Sequence, residues 1–528
     1  MKKMIYSFAV MLSALSLTAC SSDNFAADPE KDWAGTTEFF TSTEEKGFAT
    51  YYKPAIGRVG DPMPFYDQKA AHFKVLYLQD YEINDSYRYH PIWGVATNDG
   101  ANYESIGEVL PVNASAEAQD AALGTGCCVY NESDGLYYIY YTGHNPRCKN
   151  TEAVMRATSP DFKTWTRDNA WMLKGDDYGF SSVDFRDPQI FKGDDGLWHM
   201  VIASNLKFAE FTSADLKSWK YESQFPMIWD RMCECPDIFK MGDWWYLVYS
   251  EAYKSTWSRK VKYMMAKSWD ALKACFNDPG ANWPKDGHEG VLDSRAFYAG
   301  KTASNGTNRY IWGWCPYRTG ANIYEQNINV GTSEPNWGGA LVCHKVIQHS
   351  DGTLTLGKVE AIDAKYNQAK DVALKAQRGV SQSGDSYALA GDAYALFGRL
   401  GAHNKLSFTV KTGSATDKFG ISLVRGSESK KYYTMVVNPE NENTRKVNFE
   451  EEGPEGKGFI EGIDGYPFSR PSDNTYNITL YTDNSVITMY INDVCAYTQR
   501  ISGIAKNCWS INAYGGSITV SNLTVSEY

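Results

Sequence analysis

The 528-residue chain sets 52 Lys and Arg against 63 Asp and Glu, a formal net charge of −11. A surface that binds nucleic acid needs a basic field, and no basic cluster stands out of this acidic background, so nucleic acid is excluded as a partner. The length allows two to four domains, and 16 Trp, 36 Tyr and 23 Phe suit strands that pack on one face and meet a polar, ring-shaped ligand on the other.

The N-terminus carries a processing signal. Lys2 and Lys3 precede a mostly apolar run from Met4 to Leu17, and Leu17, Thr18 and Ala19 lead into Cys20. This pattern resembles a bacterial lipoprotein signal over residues 1–19, which makes Cys20 the lipidated first residue of the mature chain. The apolar run is too short and broken for a membrane span. Residues 20–46, rich in Ser, Thr, Asp and Glu, read as a flexible tether. The expectation is an exported protein, lipid-anchored to a bacterial membrane, with outer-surface display hinted by the residues after Cys20. The ten remaining cysteines are scattered and read as buried thiols; Cys233 and Cys235 lack a second ligand pair at zinc spacing.

From residue 47 to 365 one unit recurs. Aromatic and β-branched runs begin at Phe73, Leu136, Leu197, Trp244 and Arg309, 47 to 65 residues apart. Turn signals at Asp134-Gly135, Asp195-Gly196 and Gly242-Asp243 make three of them the second strand of a hairpin. Ser159-x-Asp161-x-Lys163-x-Trp165 returns as Ser213-x-Asp215-x-Lys217-x-Trp219, with a weaker echo over 98–103. Units of this length, each with several short strands, predict an all-β protein whose first domain is a five-bladed β-propeller. Val359 to Gln377 reads as a linker or short helix, residues 366–384 as the linker between the domains, and the alternating strands of 385–528 as a C-terminal β-sandwich.

Ahead of three of the hairpins stands an acid near a proline: Asp61-Pro62, Asp187-Pro188 and Glu234-Cys235-Pro236. Equivalent positions on inner blade strands face the same axis, so the three carboxyl groups are expected to converge, in register, at one funnel. Clustered carboxylates oppose each other's ionisation, leaving one acid protonated and another charged. That division suits glycosidic cleavage, in which retaining geometry sets the two acids about 5–5.5 Å apart. Arg186 is expected to hold Asp187 ionised, and the apolar neighbours of Glu234 to raise its pKa as a proton donor requires.

Phe185-Arg186-Asp187-Pro188 followed by Cys233-Glu234-Cys235-Pro236-Asp237 resembles the paired motifs of glycoside hydrolase family 32, the β-fructosidases that include invertases, inulinases and levanases. The resemblance runs from about residue 48 to the end. It implies Asp61 as nucleophile, Glu234 as acid/base, Asp187 with Arg186 as transition-state stabiliser, and Gln79, Trp93 and Thr125 lining the terminal fructose subsite. It implies retaining hydrolysis of β-fructofuranosyl bonds in levan, inulin or sucrose-type oligosaccharides, with no metal or organic cofactor. The family's Trp, Met and Asn before the nucleophile are here Arg58, Val59 and Gly60, so the subsite is either rebuilt or weakened. Two alternatives stay open: a five-bladed furanosidase on arabinose-containing glycans, and a fructan-binding lipoprotein without turnover.

Overall fold

The computed structural model describes residues 47–528, except 56, 81–87, 228–231, 254–257, 278–289, 317–336, 426–431, 440–446, 454–455, 460–467, 502 and 506. The expected signal, the tether and Cys20 lie outside the described residues.

Five antiparallel blades follow one another, and their innermost strands are β1 (Arg58–Asp67), β5 (Ala122–Asn131), β10 (Arg186–Lys192), β14 (Met232–Met241) and β17 (Tyr298–Ser304). Each packs beside the next, and β17 beside β1, which closes the ring. The five aromatic runs form the second strands: β2 (His72–Asp80), β6 (Leu136–His144), β11 (Trp198–Ser204), β15 (Trp244–Tyr253) and β18 (Arg309–Pro316). Their residues are almost wholly buried on both faces, because each blade is covered by its two neighbours. That accounts for runs without polar alternation. Blades five and one share one sheet: β19 (Gly339–Gln348) meets β1 at the single pair Val59 and Gly339.

The repeated Ser-x-Asp turn has the same construction in both copies. Asp161 Oδ1 accepts the N–H groups of Lys163 and Thr164, and Asp215 Oδ1 those of Lys217 and Ser218, all at 2.8–2.9 Å. Phe162 and Leu216 both take φ near +60° in it. The weaker echo builds the turn too, with Asp99 accepting from Ala101 and Asn102 and with Gly100 at the left-handed position.

The second domain is one continuous antiparallel sheet folded over on itself at β33 (Ser517–Glu527), which pairs with β23 (Ser386–Phe397) on one side and β24 (His403–Thr412) on the other. Both halves bury one face in a shared core around Phe397, Phe408, Trp509 and Ile511, the arrangement of a β-sandwich. Residues 366–384 are not a linker. They supply β21 (Gln368–Lys370) and β22 (Leu374–Ser383), which pair with β33 and β23. β22 is exposed along most of its length and bulges at Gly379, so it lacks the apolar alternation that marks a strand.

The ten described cysteines are free thiols, nine of them buried. No helix among the described residues is long and apolar enough to cross a membrane.

Candidate active site

Every inner strand is interrupted at the same level. The register slips between Val59 and Pro62, Gly124 and Gly126, Arg186 and Gln189, Glu234 and Asp237, and Tyr298 and Lys301. A bulge re-aims the side chains around it, and five around one axis turn a ring of residues toward the mouth of the funnel. In three blades the first bulged residue is left-handed without being glycine: Asp187 (φ 60°), Cys235 (φ 51°) and Ala299 (φ 55°). Such a backbone costs on the order of 1–2 kcal/mol per residue, so tertiary contacts must hold it. Part of that support passes from blade to blade. The Asp187 N–H donates to Thr142 Oγ1 at 3.0 Å, and the Cys235 N–H to Asp187 Oδ2 at 2.9 Å.

The cavity above the bulges has a volume of about 310 Å³, and Asp61, Thr125, Arg186, Asp187 and Glu234 all line it. The three acids converge as expected but are not in register. Glu234 is the last paired residue before its bulge, Asp187 the first bulged residue and Asp61 the second. Convergence therefore comes from three different positions on the same bend.

Each carboxyl group has its own surroundings. Asp61 accepts from Thr125 Oγ1 at 2.5 Å and from the Trp314 indole N–H at 2.8 Å. Glu234 is not enclosed by apolar groups. Its carboxyl accepts from the Tyr298 hydroxyl at 2.6 Å and from Arg186 Nη2 at 3.3 Å, with the side chain 22% exposed. Burial is strongest at Asp187, 4% exposed, whose carboxyl is pushed up to about 7. Desolvation is the main cause; Asp61 and Glu234 add to it, and Arg186 and the Cys235 N–H offset only part. Arg186 favours the charged form of Asp187, but burial outweighs it. The Arg186 guanidinium hydrogen-bonds Glu234, Glu152 and Asp184.

Gln79 and Trp93 are not among the residues lining the cavity. Side chains alternate across a strand, and Leu78 takes the cavity side. Gln79 falls on the opposite face, 2% exposed, where it accepts from the Tyr77 hydroxyl at 3.2 Å. Trp93 pairs with Tyr77 and packs against the core between blades one and five.

Gly60 has a steric reason. A Cβ there would come within 2.0 Å of the Trp337 ring, so this indole occupies the space of a side chain at position 60. Trp337 also stacks on His90, with centroids 4.1 Å apart and planes at 18°. The cavity wall beside Asp61 is thus aromatic. Gly60→Ala is expected to displace the indole and cost about 1–3 kcal/mol of stability, read as a lower denaturant midpoint; an unchanged midpoint would show that the ring moves freely.

Reasoning on sequence did not assign roles to Tyr89, His90, His144, Glu152, Tyr298, Trp314 and Trp337. Tyr298 lies in the triplet Phe297-Tyr298-Ala299, and Trp314 in the fifth aromatic run. Glu152 carries no local signal: it joins the site because β7 (Glu152–Ser159) pairs it with His144.

Residues 53–356 match the family description "Glycosyl hydrolases family 32 N-terminal domain", and residues 352–525 match "GH32, BT1760-like, C-terminal domain". Among curated relatives, the levanbiose-producing levanase of Geobacillus stearothermophilus is 25% identical over 222 residues, covering 40% of this chain and 54% of that protein. The sucrose-6-phosphate hydrolase of Escherichia coli is 22% identical over 438 residues, covering 77% and 81%. The matched stretch spans about half the length of the levanases and fructan exohydrolases. In fold, the chain is similar to the exo-inulinase of Aspergillus awamori (TM-score 0.69, 15% identity, 91% of this chain and 98% of that one). It is also similar to the sucrose-6-phosphate hydrolase of Lactobacillus gasseri (TM-score 0.66, 15% identity, 92% and 93%). One description takes in the propeller and more than half of the chain, and the other takes over where it ends and runs through the sandwich, so the chain belongs to glycosyl hydrolase family 32.

Proposed function

We propose that the protein is a retaining β-fructofuranosidase that cleaves fructans of the levan or inulin type, or sucrose-type oligosaccharides. The observation that carries this reading is the meeting of Asp61, Asp187 and Glu234 around one cavity in a family 32 chain; the levanase and fructan exohydrolase names of its relatives support the substrate class. Asp61, fixed by Thr125 and Trp314, attacks the anomeric carbon and forms a fructosyl ester as the glycosidic C–O bond breaks. Glu234 gives its proton to the leaving oxygen, then takes one from the water that releases fructose. The Tyr298 hydroxyl and Arg186 steady its carboxyl through both steps. Asp187, with a pKa near 7, accepts from one fructosyl hydroxyl when charged and donates to another when protonated. Cys20 anchors the exported protein by lipid to the membrane, in keeping with the signal over residues 1–19.

The test is incubation with levan, inulin and sucrose, with release of reducing sugar followed and the anomer of the first product read by NMR. Retention is expected on at least one of the three. Glu234→Gln should lower release by about 10²–10⁴-fold while substrate binding persists. Undiminished release overturns the role of Glu234. Inversion points to the rival furanosidase mechanism, and binding to fructan with no release by the parent protein points to a binding lipoprotein.

A further inference from the structure

A fourth carboxylate lines the same cavity, and the chemistry above leaves it without a role. Glu152, the first residue of β7, is 9% exposed. Its Oε2 accepts from the Phe185 N–H at 2.9 Å and from Arg186 Nη1 at 3.3 Å, and its Oε1 lies 3.6 Å from His144 Nδ1. The other arm of Arg186, Nη2, reaches Glu234 Oε1 at 3.3 Å and Met232 Sδ at 3.2 Å. A single guanidinium is therefore held between Glu152 on blade two and Glu234 on blade four. A buried carboxylate is costly unless it is paired. Burial works against the charge of Glu152, yet His144, Arg186 and the Phe185 N–H more than offset it and keep the carboxyl below its ordinary range.

We infer that Glu152 is a positioning residue, which fixes the orientation and the effective charge of Arg186 and, through Arg186, the protonation of Glu234. The inference rests on the acid/base role proposed for Glu234. Its second contact works on the backbone: the Phe185 N–H it receives lies two residues before Asp187, so Glu152 also pins the approach to that strained bulge.

The titratable groups that face this centre come from six elements. They are Asp61 on β1, Tyr89 and His90 from the segment before β3 (Ile92–Thr97), His144 on β6, Asp184, Arg186 and Asp187 at and before β10, Glu234 on β14 and Tyr298 on β17. While Glu152 is ionised it cancels part of the Arg186 charge, and Glu234 feels a weakened positive field. Once Glu152 is neutral, Glu234 feels Arg186 more fully, and its charged form is favoured. An acid whose charged form is favoured gives up its proton at lower pH. The alkaline limb of kcat/KM, which records loss of the protonated acid, then moves to lower pH.

Glu152→Gln keeps an oxygen for the Phe185 N–H and removes only the charge. Measured as kcat/KM against pH on whichever fructan the parent hydrolyses, its alkaline limb should move down by about half to one pH unit. Activity at pH 8 should fall about 3- to 10-fold, the same displacement read at fixed pH. Glu152→Asp, which retains the charge on a shorter side chain, should restore the limb. An unmoved limb in Glu152→Gln overturns the inference, whether activity is intact or lowered evenly at every pH, since an even loss is what a purely structural role gives. Glu234→Gln separates the two levels. If that variant stays active the acid/base role fails and the inference falls with it; if it is inactive and the limb does not move, only the inference falls.

Discussion

Asp61→Asn should reduce kcat by a factor on the order of 10⁴, because the side chain it removes is the one that forms a bond with the substrate. That factor corresponds to about 5.5 kcal/mol of lost transition-state stabilisation. The substitution is close to isosteric. An amide oxygen can still accept from Thr125 Oγ1 or from the Trp314 indole, so folding should be retained while nucleophilicity is lost. A second consequence follows from charge. Asp61 is one of the groups that raise the pKa of Asp187, behind burial. With Asp61 neutral, Asp187 should ionise at lower pH, and fructose binding should become less pH-dependent near pH 7. The sign for stability is fixed by the same shift. The folded-state pKa of Asp187 lies above its ordinary value, so its contribution is full at pH below the ordinary carboxylate range and is lost as pH climbs through about 7. Removing the Asp61 charge narrows that window. Single-turnover kinetics and a pH titration of fructose binding check both parts; kcat within 10-fold of the parent would remove Asp61 from the nucleophile's position.

Much of the propeller was legible because its signals are local. An aromatic run flanked by Asp-Gly reads as a hairpin strand wherever it stands, and the Ser-x-Asp turn is held by hydrogen bonds spanning three residues. The three acids were legible for a similar reason, each lying next to or one residue away from a proline and 10 to 12 residues ahead of its aromatic run. What stayed hidden depends on register. Whether Gln79 or Leu78 faces the cavity is decided by a one-residue phase along β2, and a resemblance in motif does not carry that phase. Glu152 reaches Arg186 through strand pairing and blade packing together, a contact between residues 34 apart with no pattern linking them. The apolar neighbours of Glu234 misled as well. Cys233 and Cys235 are indeed buried, but the Glu234 carboxyl extends to Arg186 and Tyr298 and its side chain stays 22% exposed.

The largest loss of stability from one side chain is expected at Asp483, in the sandwich, remote in sequence from the catalytic acids. Asp483 is fully buried. Its two oxygens accept the N–H groups of Ala49, Thr50 and Tyr51 at 2.7–3.1 Å, the Thr50 hydroxyl at 2.8 Å and His403 Nδ1 at 2.7 Å. Three successive backbone donors from the start of the propeller thus converge on one carboxylate of the other domain. Asp483→Ala strands those donors, two of them on buried residues, and an orphaned buried donor costs about 1–3 kcal/mol. The expected destabilisation is about 3–5 kcal/mol, read as a fall in thermal midpoint on the order of 10 °C. Asp483→Asn should cost less, about 1–2 kcal/mol, because one acceptor oxygen remains. The clamp lies ten residues ahead of Asp61, and Tyr52, next along, bridges to Leu341 in β19, the blade-five strand that meets β1. A sandwich held by this clamp therefore supports the entry to the strand that carries Asp61. Below its melting range the Asp483→Ala variant should keep kcat within a few-fold of the parent and lose activity at a lower temperature. A midpoint within 2 °C of the parent would mean that water satisfies the stranded donors and that the clamp contributes little.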